Sequence, residues 1–291
     1  SCVSRGSTIS ILNTTGKYWP LDNKWGGKGG KIVCLTACDY PFAQILDGSG
    51  VDLLLVGDSL AMTRLGYEST LPLTVDEVLV HLKAVRRAVR RALLVVDLPY
   101  GSYHLNTQVA LENALRFIKE GAEAVKIEGG RNRKNLVKRL VQAEIPVMGH
   151  VGLTPQSLHA MGGYRVQGRS LESAEAVMSD ALALQEAGVF AVVLEGIPEN
   201  LAFKITQQLR IPSIGIGAGP YCDGQILVSD DLFGLNSFRK PKFVRQYVNL
   251  REILSQATGQ FISDCIAGKF PSQKETYLST EFGPLERVVK R

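Results

Sequence analysis

The sequence is short of the features that mark several protein classes. Its five cysteines are an odd number with no C-x-x-C pair, so it is not a disulfide scaffold, and a reducing compartment is expected. No apolar run approaches the roughly 20 residues needed to cross a bilayer, which excludes a transmembrane protein. Aromatic residues are 7%, and few are interleaved with the basic clusters, which argues against nucleic-acid binding. Disorder is excluded by composition, with 45% apolar and 21% charged residues. A complete G-x-G-x-x-G fingerprint is missing. The nearest string, Gly215 to Gly219, would need a further glycine at position 220, which is Pro220. It reads as a tight turn from a strand into a loop.

The formal net charge is +5, concentrated in Arg86, Arg87, Arg90 and Arg91 and in a second run at Arg131, Arg133, Lys134, Lys138 and Arg139. Solvated helix faces are the favoured reading of both clusters. A polyanionic small-molecule tail would also suit the excess.

Residues 1–30 lack helical or strand periodicity. They hold one acid, Asp22, against Arg5, Lys17, Lys24 and Lys28. That weakly resembles an organelle transit peptide, and a chain opening on Ser1 is expected to have lost its natural start. The favoured reading is a flexible extension.

A repeated pattern begins at Lys31. Short apolar runs fall at Ile32–Ala37, Leu53–Val56, Leu93–Val96, Ala124–Ile127, Ile145–Met148, Ala191–Leu194 and Ile211–Ile216, with a weaker one at Gln225–Val228. Between them lie segments of helical period at Val75–Val89, Gln108–Lys119, Lys134–Gln142, Leu171–Ala187 and Glu199–Gln208. Apolar strands alternating with amphipathic helices predict a parallel sheet covered on both faces. Eight such units predict a closed (β/α)8 barrel, a TIM barrel, over residues 31–265 as one domain. A last helix is expected over Val244–Cys265, followed by a polar tail over 266–291.

In such a barrel, chemistry belongs at the C-terminal ends of strands. Here those ends are acidic: Asp58 with Ser59, Asp97, Glu128 and Glu195. Any one of these acids alone reads better as a helix N-cap or a turn residue. Asp58, Asp97 and Glu128 after three successive strands favour a site for Mg²⁺ or a similar hard cation, because crowded carboxylates need a counter-charge. Lys126, two residues before Glu128, shares its face of the strand. It either neutralises the acids or holds an oxyanion of a substrate. Glu195, on the far side of the mouth, is the candidate general base. His150 is open between a structural role and a substrate contact. His81, His104 and His159 are not expected to bind metal, and Cys34 and Cys38 read as core thiols.

Several strings stand in the order of one known family: Thr36–Tyr40 (TACDY), Val56–Leu60 (VGDSL), Ser69–Pro72 (STLP), Val96–Pro99 (VDLP), Val125–Gly130 (VKIEGG), Gly149–Gln156 (GHVGLTPQ), Gly162–Tyr164, Gln167–Arg169, Leu194-Glu195, Ile214–Gly219 and Asp223–Val228. Over roughly residues 31–265 the chain closely resembles the ketopantoate (3-methyl-2-oxobutanoate) hydroxymethyltransferases. The resemblance implies a barrel of the phosphoenolpyruvate-mutase-like superfamily. It implies transfer of a one-carbon unit from the co-substrate 5,10-methylenetetrahydrofolate to 3-methyl-2-oxobutanoate, giving 2-dehydropantoate through an enolate, in pantothenate synthesis. It gives Asp58, Asp97 and Glu128 the metal positions, Asp58, Ser59, Asp97 and Lys126 the keto-acid positions, and Glu195 the proton-acceptor position. It also implies a homo-oligomer, a decamer among the sizes, in the cytoplasm or, for a eukaryotic owner, the mitochondrion. The chain departs from the family pattern at Cys38, Tyr67 and Gly196-Ile197, none of which is an expected ligand or the base.

Two rivals make different demands. An isocitrate-lyase-like enzyme of the same superfamily would carry a Lys-Lys-Cys-Gly-His type loop, and the sequence has none. A barrel that had lost catalysis and served as a scaffold would lack a ligand or the base, and all are present.

Overall fold

The computed structural model describes residues 30–157, 165–236, 240–278 and 281. The expected N-terminal extension, the Gly162–Tyr164 string and His159 lie outside the described residues, apart from Gly30. Eight parallel strands close into a barrel in chain order. They are β1 (Ile32–Thr36), β2 (Leu53–Val56), β3 (Leu93–Asp97), β4 (Ala124–Glu128), β5 (Val147–Gly152), β6 (Ala191–Glu195), β7 (Ser213–Ile216) and β8 (Gly224–Leu227). The helices are α1 (Tyr40–Gly48), α2 (Leu60–Thr63), α3 (Val75–Ala88), α4 (Thr107–Lys119), α5 (Lys134–Gln142), α6 (Leu171–Ala187), α7 (Glu199–Gln208), α8 (Ser229–Phe233) and α9 (Leu250–Ile266).

The apolar strands serve two cores at once. Alternate residues such as Leu53, Leu55, Leu93, Val95 and Val193 fill the barrel interior. Their neighbours, such as Leu54, Val56, Leu94, Val96 and Leu194, pack under the helices with Leu82, Phe117 and Leu184. Period two therefore decides which side chains enter the barrel. Continuing it past Val95 brings Asp97 inward, and past Ala124 it brings Lys126 and Glu128.

The helices start on local signals. Thr74 and Glu77 form a capping box at α3, and Asn106 and Ser170 cap α4 and α6. Helix α1 begins with Asp39, whose carboxylate accepts from the Phe42 N–H. Near its end, buried Asp47 accepts the backbone N–H groups of Arg90, Arg91 and Ala92 at 2.7–3.0 Å, which ties α1 to the start of β3.

The structure corrects several sequence expectations. Strand β5 begins at Val147 rather than Ile145 and runs on through His150 to Gly152. Glu144 adopts φ 62° in the turn, Pro146 has no N–H to donate, and the polar end of the strand hides it from an apolar-run reading. Helix α9 starts at Leu250 rather than Val244, behind the Asn249 cap. The short helices α1, α2 and α8 have too few turns to show a period. The basic run near residue 90 is more than a solvated face. Arg86 donates to the Val89 carbonyl and Arg91 to the Val51 carbonyl, both in part-buried positions.

Candidate active site

Strand register assembles the site. Asp97 on β3 is the direct partner of Lys126 on β4, and Glu128 on β4 is the partner of His150 on β5. These neighbours make contact, with Lys126 Nζ 2.6 Å from Asp97 Oδ1 and His150 Nδ1 3.4 Å from Glu128 Oε1. On β6, Glu195 pairs with Gly152, and its Oε2 reaches His150 Nε2 at 3.1 Å. Asp58 follows β2, and its backbone N–H donates to Asp97 Oδ2.

All the expected site residues line one cavity of about 100 Å³ at the C-terminal mouth. Asp58, Ser59, Asp97, Lys126 and Glu128 are there, with Glu195 and His150. Leu55, Val193, Ile216 and Ile226 supply an apolar lining. None of the three acids caps a following helix, because those N-cap positions are Ser59, Asn106 and Gly130. Ser59 makes no side-chain capping bond at α2. His81 contacts the Cys38 carbonyl, and His104 accepts from the Gly101 N–H. Cys34 and Cys38 are buried thiols, and burial pushes Cys38 up to about 12.

The electrostatics follow from burial and crowding. Burial, reinforced by Asp97 and Glu128, raises the Asp58 carboxyl to about 8. Burial also raises Asp97, against the pull of Lys126. For Lys126, burial alone would favour the neutral amine, but Asp97, Glu128 and Asp58 outweigh it and hold the ammonium charged. Burial and Lys126 oppose protonation of His150, yet its bonds to Glu128 and Glu195 prevail and lift it to about 9. Burial works against an ionised Glu128, but His150, Lys126 and the Gln156 N–H overcome it and keep this carboxyl below its ordinary value.

Three buried carboxylates of hard oxygen atoms suit a divalent cation in donor type and charge. Glu128 Oε1 and Asp97 Oδ1 are buried without a well-aligned hydrogen bond, Asp97 Oδ1 keeping only its ion pair with Lys126. The fit is one of chemistry rather than of a finished cage: among the described residues no three His, Cys, Asp or Glu side chains converge as a cation site. Protein donors occupy other oxygens instead. Gln156 gives its side-chain amide to Asp58 Oδ2 and its backbone N–H to Glu128 Oε2.

Sequence reasoning missed that role of Gln156, and the part of Tyr103, whose hydroxyl meets Gln156 Oε1 at 2.6 Å. Gln156 closes the GHVGLTPQ string, so its place was marked, but no spacing rule tells that this loop folds back over the mouth. The contact between His150 and Glu195 was also missed. It follows only from the register of β5 against β6.

A profile of the ketopantoate hydroxymethyltransferases matches residues 22–273. The chain belongs to this family. It is 55% identical over 258 residues to a protein of Koribacter versatilis (strain Ellin345), covering 88% of this chain and 87% of that one. It is 51% identical over 255 residues to one of Geobacter sulfurreducens, covering 87% and 96%. Both relatives are named 3-methyl-2-oxobutanoate hydroxymethyltransferase. Solved structures agree on the barrel. A 2,3-dimethylmalate lyase of the PEP mutase/isocitrate lyase superfamily superposes with a TM-score of 0.57 at 16% identity, covering 85% of this chain and 84% of the other. Phosphonopyruvate hydrolase in complex with oxalate and Mg²⁺ gives 0.56 at 14%, covering 85% and 89%. The family is thus the one its motifs implied, and the chain has the expected (β/α)8 barrel fold.

Proposed function

We propose that this hydroxymethyltransferase moves a one-carbon unit from 5,10-methylenetetrahydrofolate to 3-methyl-2-oxobutanoate, giving 2-dehydropantoate at the first step of pantothenate, and hence coenzyme A precursor, synthesis. The observation that carries the reading is the mixed lining of the small cavity. Carboxylates and Lys126 share it with the aliphatic side chains of Leu55, Val193, Ile216 and Ile226, and Glu195 is more exposed than Glu128 and Asp97. A branched keto acid combines the same two kinds of surface.

Asp58, Asp97 and Glu128 would hold Mg²⁺ or a similar ion, which supplies Lewis acidity toward the carboxylate and keto oxygens of the substrate. Ser59 offers its hydroxyl, and Lys126 a charged ammonium, to the same oxygens. Leu55 and Val193 suit the isopropyl group. Glu195 accepts the proton from C3, and Lys126 steadies the negative charge that moves onto the enolate oxygen. C3 then bonds to the methylene carbon of the folate. Both bonds from that carbon to the folate nitrogens break, one as C3 attaches and the other as water supplies the hydroxyl. The proton taken from C3 and the second hydrogen of the water end on the two nitrogens, leaving tetrahydrofolate.

The reading includes a homo-oligomer, supported by Ile253, Leu254, Phe261 and Ile262, which α9 leaves exposed. It includes a cytoplasmic location, supported by the described cysteines being free thiols. Among the described residues no helix is long and apolar enough to cross a membrane. The test is direct. The full chain with keto acid, methylenetetrahydrofolate and Mg²⁺ should form 2-dehydropantoate, and failure to form it with all three present overturns the proposal.

A further inference from the structure

Asp58 and Glu128 arrive at the mouth from different strands, yet one residue touches both. Gln156, 3% exposed, sits in the single turn of 3₁₀ helix Pro155–Ser157 after β5. Its Nε2 donates to Asp58 Oδ2 at 3.0 Å and to the Leu98 carbonyl at 3.0 Å. Its backbone N–H donates to Glu128 Oε2 at 2.9 Å. The Tyr103 hydroxyl donates to Gln156 Oε1 at 2.6 Å and accepts from the Glu128 N–H at 3.2 Å. Each hydrogen of the amide has an acceptor, and the amide oxygen has a donor. The amide therefore has one satisfied orientation, and Tyr103, 2% exposed, enforces it.

We propose that Gln156 is the positioning residue of the divalent-cation site, clamping Asp58 through its side chain and Glu128 through its backbone, with Tyr103 fixing the direction of the amide. The inference rests on the reading of Asp58 and Glu128 as ligands. It gives the clamp a definite task. One oxygen of each carboxylate is engaged by Gln156, which turns the other toward a cation: Asp58 Oδ1, and Glu128 Oε1, whose remaining neighbour is His150 Nδ1 at 3.4 Å. Rotation of either carboxylate would break a buried hydrogen bond, so the ligands are held before the ion arrives.

Gln156→Leu keeps the backbone bond to Glu128 and the approximate bulk but removes the grip on Asp58. Tyr103→Phe removes only the hydroxyl that orients the amide. The probe is Mn²⁺ alone, titrated into the full-length protein and followed by electron paramagnetic resonance, with circular dichroism to confirm the fold. Gln156→Leu should bind Mn²⁺ at least about tenfold more weakly than the parent, the size usual for lost outer-sphere partners. Tyr103→Phe should show a smaller loss in the same direction. A residue that served folding alone would lower the melting temperature without moving the affinity of the folded protein. Parental affinity in both variants overturns the clamp, as does parental affinity in Tyr103→Phe should Gln156→Leu not fold. A parent that itself binds no Mn²⁺ overturns instead the ligand assignment on which the clamp rests.

Discussion

His150 Nε2 lies 3.1 Å from Glu195 Oε2, so the candidate base is tethered to the neighbouring strand. The same imidazole reaches Glu128 with its other nitrogen, which links the base to the acidic cluster through one ring. This geometry lets enolisation be tested apart from carbon transfer, because proton removal needs no folate. In D₂O the C3 hydrogen of 3-methyl-2-oxobutanoate should exchange for deuterium with the parent protein and Mg²⁺, as NMR can follow. Glu195→Gln keeps the size and polarity but cannot accept the proton. It should bind the keto acid normally and lose about 10²- to 10⁴-fold in both exchange and product formation. Exchange at the parental rate would make another residue the base.

Burial, reinforced by acid crowding, predicts an inverted pH dependence for the metal-free protein. The Asp58 carboxyl is raised from 3.8 to about 8. Between those values the native state holds a proton that the unfolded state has released, so stability falls as pH rises and then levels off. His150, raised from 6.5 to about 9, acts with the same sign: its contribution is full below 6.5 and is lost as pH rises through 9. Asp58→Asn removes the first term. Its melting temperature should decline less between pH 5 and 8 than the parent's, and should exceed the parent's at pH 8. Mg²⁺ should also release close to one proton from the parent at pH 7, measurable by calorimetry in buffers of different ionisation enthalpy. A decline as steep as the parent's would show that Asp58 is not the proton holder.

Much of this site was legible because strand ends carry it. Asp97, Lys126 and Glu128 follow from alternation along β3 and β4, and Asp58 and Glu195 from their place after apolar runs. Most strands announced themselves as apolar runs because the barrel buries both their faces, as at β2, β3 and β4, whereas β8, half-buried and opening Gly224-Gln225, gave a weaker signal. What the chain did not show was tertiary. Strand β5 is polar where it enters the mouth, and the partners of His150 depend on register. Gln156 acquires its meaning only when the loop after β5 closes onto Asp58. Helix α1, at nine residues, declares itself through the Asp39 cap rather than through periodicity.

Lys126 has two duties, and one substitution separates them. It pairs with Asp97 in the buried cluster and faces the cavity where substrate oxygens are expected. Lys126→Met keeps the length and the apolar stem. It leaves Asp97 without its cation, a loss of the kind that costs about 3–5 kcal/mol when a buried pair is broken. Denaturant unfolding of the metal-free protein should show a loss of that order. Saturating Mg²⁺ should restore part of the stability, because the ion replaces the missing charge. Keto-acid binding should stay weakened after that rescue. Full recovery of binding would confine Lys126 to charge balance.

The smallest change with a large expected consequence is at Gly152. It ends β5 at φ 94°, a left-handed conformation that costs a side-chain-bearing residue roughly 1–2 kcal/mol. A Cβ there would also stand 2.3 Å from the carbonyl oxygen of Glu195. That carbonyl accepts the Leu153 N–H at 2.8 Å, so strand β6 cannot retreat without losing a backbone bond. Gly152→Ala should therefore push the backbone of Glu195 away from β5 and stretch the contact with His150. Displacement of a reacting group by about 1 Å can cost on the order of 10²-fold in rate. The expected result is a drop of that size in deuterium exchange, with a fall in melting temperature. Near-normal exchange in a folded Gly152→Ala protein would show that Glu195 does not depend on this strand junction for its position.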